Sequence, residues 1–169
     1  ENIRYERIWE ESPLPLDNPE NAFRVISGDF VTTDDGTGIV HTAPTFGADD
    51  YKAAKSAKPE VPPLQVLDKN GIKVPLVDLK GKFIDGIGLI SGKYVKNEYY
   101  ESDSIPEKSV DVEIAIRLKE LNRAFKVEKY SHSYPHCWRT DKPVLYYPME
   151  SWFIKMDSLS NRMFELNKE

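Results

Sequence analysis

Gly36-Thr37-Gly38-Ile39-Val40-His41-Thr42-Ala43-Pro44-Thr45-Phe46-Gly47-Ala48-Asp49-Asp50-Tyr51 reads as a glycine-bracketed turn, a short apolar strand, a loop containing Pro and Gly, and the acidic first turn of a helix. Gly36 and Gly38 flank Thr37 and permit a positive φ or a close backbone approach that a Cβ would hinder. Ile39 and Val40 are β-branched and predict a buried strand, which must end by Pro44 because proline has no N–H for a ladder. His41 then stands near the strand end, where a hydrogen-bonded polar residue is ordinary. Asp49 and Asp50 fall in the first turn of the helix, where the macrodipole favours carboxylates, so a purely structural role already accounts for the pair.

Outward from this stretch the pattern is one of short strands and few helices. Upstream, Pro13, Pro15 and Pro19 make residues 1–20 an extended lead-in. Phe23, Val25 and Ile26, then Phe30 and Val31, predict two strand pieces broken at Ser27-Gly28-Asp29, and Asp34-Asp35-Gly36 is a turn signal. Downstream, residues 51–58 have high helix propensity and stop before Pro59. Leu64–Leu67 and Ile72–Leu76 flank Asp68-Lys69-Asn70-Gly71, a hairpin signal. Residues 79–100 yield no assignment, and the pair Tyr99-Tyr100 reads as packing. Ser109 precedes the clearest helix, in which Val112, Ala115, Ile116, Leu118 and Leu121 form one apolar surface expected to lie on the sheet. Residues 125–130 alternate with period two, residues 144–147 and 152–156 look like further strands, and Ser158 or Ser160 would cap a last helix through Leu166. There is no repeat, low-complexity segment or interdomain linker. The sum predicts a single mixed α+β, mostly β domain over residues 1–169, a closed or partly closed β-barrel decorated by helices.

The 169 residues suffice for one core, and 40% hydrophobic with 30% charged residues is a globular balance. No apolar run has the ~18 residues of a membrane span and no signal peptide is legible, so no membrane partner and a cytoplasmic location are expected. A single cysteine excludes an internal disulfide. The net charge of −5 argues against broad wrapping of nucleic acid, which draws on many Lys/Arg–phosphate contacts. RNA, if touched, is expected to be touched at few points.

A second informative stretch is Ser131-His132-Ser133-Tyr134-Pro135-His136-Cys137-Trp138-Arg139, followed by Glu150-Ser151-Trp152-Phe153-Ile154-Lys155. His132, His136 and Cys137 are of metal-ligand type, but Thr140 offers only a hydroxyl, and no second cysteine completes a zinc site. No metal is expected. Nothing in the spacing makes Cys137 a catalytic nucleophile, and Gly36-Thr37-Gly38 is neither a dinucleotide fingerprint nor a phosphate loop.

Together, in this order, the two stretches resemble the editing domain of isoleucyl-tRNA synthetases, inserted in the catalytic core to hydrolyse mischarged tRNA. The resemblance covers most of residues 20–160 and implies the same barrel fold. It implies that His41 lines the pocket for the misattached amino acid and that Asp50 holds its α-ammonium, as a fixed carboxylate would by a charge-assisted hydrogen bond. Asp49 would substitute if the register slipped by one. Gly36, Thr37, Gly38, Ile39, Thr42, Phe46 and Gly47 complete the implied substrate-binding set, with His41 and Asp50 as the catalytic pair. The implied reaction is hydrolysis of the ester of valine on tRNA(Ile), which fidelity requires because one missing methylene changes binding by only ~1–3 kcal/mol. The implied partners are the tRNA(Ile) 3′ end and the remaining domains of the synthetase. No cofactor is implied for this chain, since ATP and magnesium belong to the catalytic core. Relatives carry a cysteine pair around Trp-Arg, and Thr140 departs from it. A threonine-rich strand upstream in the family has no counterpart, Thr32-Thr33 being misplaced for it. The chain therefore reads as a fragment, and the alternative is a scaffold that binds the 3′ end without hydrolysing it.

Overall fold

A computed structural model describes residues 3–34, 36–149 and 151–168. Asp35 of the expected turn and Glu150 of the second stretch lie outside the described residues. The regular elements are helix α1 (Ala48–Ser56), strands β1 (Gln65–Leu67) and β2 (Lys73–Pro75), helix α2 (Val110–Glu120) and helix α3 (Ser160–Leu166), joined by loops and short 3-10 turns.

The hairpin forms where the Asp-Lys-Asn-Gly turn predicts it. β1 and β2 pair antiparallel with Val66 opposite Val74, and the Asp68 carboxylate accepts from the N–H groups of Asn70 and Ile72, both at 2.8 Å. This side-chain closure supplies what a two-residue turn would otherwise supply by backbone geometry. Beyond it the described residues contain only isolated bridges, Arg4 with Arg24, Val77 with Phe83, Lys82 with Tyr94, and His136 with Pro143. This two-stranded sheet is open, and the barrel stays an expectation of the strand pattern and of the resemblance.

α2 begins at Ser109, whose hydroxyl accepts from the Val112 N–H, satisfying one of the orphan donors of a helix start. Its apolar face does not lie on the hairpin as expected. Val110 is buried with Ile87 and Ile90, and Trp9, Phe83, Ile84 and Ile114 pack around them. The core thus sits between α2 and residues 83–92, the part of the sequence with no legible periodicity. Lys93 joins the two, its ammonium 2.6 Å from a half-buried Glu113 carboxylate oxygen, and the Trp9 indole donates to the Ile87 carbonyl at 3.1 Å. Tyr99 and Tyr100 pack edge-on against Tyr94, as expected of a packing pair. α3 ends at Leu166 as predicted, but neither serine caps it with its side chain.

The strands expected at Ile39-Val40, 125–130, 144–147 and 152–156 do not form. Ile39 is 81% exposed and Phe125 and Trp152 wholly so. A β-prone run gains its stability from a neighbouring strand and a covered face; Ile39-Val40, 125–130 and 152–156 have neither, and in 144–147 Leu145 and Tyr147 are half-covered with no described strand beside them. The chain exposes 13660 Å², against about 8,500 Å² for a compact monomer of its mass.

Candidate functional site

The loop Ala43–Gly47 and the first turn of α1 make one local unit. The Phe46 N–H donates to the Ala43 carbonyl at 2.9 Å, and the Tyr51 N–H to the Gly47 carbonyl at 2.9 Å. Thr45, the one buried polar residue among those described, donates its hydroxyl to the Leu64 carbonyl at 3.3 Å. Phe46 lies edge-on to Tyr147 with ring centroids 6.2 Å apart. Neither Thr45 nor Tyr147 stood out in the sequence, because a contact made across distant segments leaves no local signal.

Within this unit Asp50 is the fixed carboxylate. Its Oδ2 accepts from the Ala43 N–H at 2.9 Å, folding the helix start back on the loop, and Oδ1 accepts no hydrogen bond from the described residues. Gly47 makes the position possible. A Cβ there would stand 2.8 Å from Asp50 Oδ2 and 2.9 Å from Cγ, closer than such atoms approach. Asp49, by contrast, is exposed and only 3.5 Å from the Lys52 ammonium. The two carboxylates differ in what holds them, which the sequence pattern cannot distinguish.

The other sequence-predicted residues are less gathered. Gly36 and Gly38 take φ of 75° and 71°, the left-handed conformation for which glycine is suited. A Cβ on Gly38 would meet the Thr33 methyl at 3.1 Å. Thr37 accepts from the Ile39 N–H at 3.3 Å. Ile39 and His41 are exposed and Thr42 is half-buried, and the His41 ring makes no hydrogen bond or ring contact with the described residues. A cleft of about 720 Å³ lies between residues 24–30 and α1, bordered by Asp49 and Lys52 rather than Asp50. Its place does not follow the sequence pattern. Asp50, held by the Ala43 N–H, lies outside this open depression.

In the second stretch the Cys137 N–H donates to the Lys142 carbonyl at 2.9 Å, and the Asp141 N–H donates to the Cys137 carbonyl at 2.8 Å. Inside this tight loop the Thr140 hydroxyl and the Arg139 and Thr140 N–H groups point at the thiol and lower its pKa from the ordinary value, because donors stabilise the thiolate. Among the described residues no three His, Cys, Asp or Glu side chains converge to hold a metal. No helix of the described residues is long and apolar enough to cross a membrane.

No family model matches the chain. It is 52% identical to isoleucine–tRNA ligase of Cytophaga hutchinsonii over 98% of this chain and 15% of that protein. It is 52% identical to that of Bacteroides fragilis over 94% of the chain, and 41% identical to that of Clostridium tetani over 99% of the chain. The chain therefore spans about 15% of the length of the first two relatives.

Proposed function

From the premise that this chain belongs to the isoleucine–tRNA ligase family, as homologue of one segment of those enzymes, we propose that it is their editing region. In this reading it hydrolyses the ester of valine misattached to tRNA(Ile), in the cytoplasm, together with the remaining domains of the synthetase. The observation that carries the reading is the Asp50 carboxylate, pinned through Oδ2 by the Ala43 N–H and free at Oδ1 to receive an ammonium. A pinned carboxylate loses little freedom on binding, so its charge-assisted bond to the α-ammonium is made at low entropic cost. His41, exposed beside this loop, closes on the amino-acid side chain, and backbone groups with bound water assist attack on the ester carbonyl.

One observation favours the scaffold reading in its place. The residues from Gly36 to His41 stand open rather than enclosing a pocket, so this chain alone would hold the 3′ end without hydrolysing it.

The test is hydrolysis of Val-tRNA(Ile) by this chain and by one extended upstream, each also as Asp50→Asn. The amide keeps an acceptor for the Ala43 N–H and removes the charge. Loss of about 10–100-fold in hydrolysis, the range of a hydrogen bond to a charged group, with the Ala43 amide still protected from hydrogen exchange, is the expected result. Two inert chains that still bind the 3′ end would establish the scaffold reading.

A further inference from the structure

Residues 124–134 take part in no backbone–backbone hydrogen bond among the described residues, yet their side chains are ordered by one another. In an extended chain, alternate residues share a face, and here Tyr130, His132, Tyr134 and His136 form a continuous row of rings. Tyr130 and His132 are stacked with centroids 5.7 Å apart and planes 19° from parallel. His132 to Tyr134 and Tyr134 to His136 follow edge-on at 6.2 and 6.3 Å. All four residues are exposed. Lys96 places its ammonium 5.0 Å from the Tyr134 ring centre.

An exposed row of rings has no stability rationale of its own, since apolar surface is favourable when buried. Its charge setting is also local. Between Lys126 and Lys142 four basic side chains face two acidic ones, within a chain of net charge −5, and Lys129 and Lys142 form no ion pair among the described residues. Rings in series with interspersed cations are the arrangement that holds unpaired nucleotides, because every base offers a π-face and the cations follow the phosphates. A paired helix hides its bases and would leave the rings unused.

We propose that the row Tyr130–His132–Tyr134–His136 is a stacking platform for a single-stranded RNA end, over which the unpaired 3′ terminus of tRNA passes on its way to the Asp50 loop. This rests on the reading that the chain handles that terminus, and it adds the surface that receives it. The few cations fit contact with few phosphates, and the rings carry the affinity.

The test is an NMR titration of the aromatic-labelled chain with a single-stranded RNA hexamer ending in CCA, alongside a blunt, fully paired RNA hairpin. The hexamer is expected to shift the ring resonances of Tyr130, His132 and Tyr134, the hairpin to leave them. Tyr130→Ala and Tyr134→Ala are each expected to weaken hexamer binding about tenfold, while Tyr134→Phe, which keeps the ring, restores it. Both tyrosines are exposed, so α2 amide resonances should stay in place in every variant. Unmoved ring resonances, or equal shifts with the hairpin, would overturn the platform. The hydrolysis assay separates the two readings. Val-tRNA(Ile) cleaved at the wild-type rate by both Ala variants, with no ring shifts, removes the platform and keeps the editing region. Ring shifts without cleavage do the reverse.

Discussion

Residues 77–121 and residues 123–168 both carry many apolar side chains and use them in opposite ways. In the first, Ile87 is 2% exposed and packs with Ile90 and Val110, while in the second Phe125, Trp138, Trp152 and Phe153 stand almost entirely in solvent. The difference lies in where each backbone finds its hydrogen bonds. α2 satisfies its own, and the 83–95 stretch closes short turns and bridges such as Phe83 N–H to the Lys93 carbonyl at 2.9 Å, so each brings a ready-made face to the other. The second region is β-prone outside α3, and a strand satisfies nothing until another strand lies beside it. Its apolar side chains therefore stay at the surface.

The largest effect follows from that contrast. Ile87→Ala should destabilise the chain by about 2–5 kcal/mol, the usual loss for emptying a buried aliphatic site, whereas Trp152→Ala should stay within about 0.5 kcal/mol. Urea unfolding followed by circular dichroism reads both. A Trp152→Ala loss matching that of Ile87→Ala would abolish the distinction, because it would mean the second region has a core of its own.

A middle-sized effect belongs to the junction of loop and helix. Gly47 has an extended φ of −147° that any residue adopts, so Gly47→Ala tests space rather than backbone strain. The new methyl would force the Asp50 carboxylate off the Ala43 N–H, at a cost of about 1–3 kcal/mol for overpacking. An upfield shift of the Ala43 amide proton is the expected signature. A variant with wild-type stability and an unmoved Ala43 resonance would show that the carboxylate is not held as described.

Legibility in the sequence follows the same division. The hairpin, α1 and α2 were readable because their signals are local, an Asn-Gly turn, a run of helix formers before a proline, and a serine cap ahead of a periodic apolar face. The core partner of α2 was not, since residues 83–92 bury Ile87 and Ile90 through turns that follow neither a two- nor a 3.6-residue period. The strand readings failed as elements for a converse reason. Ile39-Val40 and residues 125–130 have the composition of strands, but pairing is a property of two segments and composition reports one. At the candidate site the acidic pair was legible and the resemblance implied Asp50, whereas the contacts that hold Asp50, the Ala43 N–H and the missing Cβ of Gly47, join residues three and seven apart and left no signal. The ring row of residues 130–136 is present in the sequence as an alternation, Tyr-Ser-His-Ser-Tyr-Pro-His, but a strand end, metal-ligand types and the family resemblance account for the same residues, and nothing in the sequence alone marks them as one row.

The smallest effect concerns the hairpin, whose turn should respond to pH while the α2 core does not. Asp68 accepts from the Ile72 N–H, then from the Asn70 N–H and side chain, and these donors lower its pKa below the ordinary carboxylate value, because they stabilise the ionised form. A carboxyl with a folded pKa below its unfolded value of about 3.9 binds fewer protons folded than unfolded. Its stabilising contribution is therefore complete above the unfolded value and is lost as pH falls through the folded one. Asp68 is half-buried in a turn whose neighbours Lys69 and Asn70 are exposed, so the change should be small and local. The amides of Asn70 and Ile72 should shift together below about pH 4, and Asp68→Asn should remove that step while leaving Val110 and Ile114 unmoved. Equal acid sensitivity of the hairpin and the α2 core would mean that the two unfold as one unit, and the turn would then not be an independently closed structure.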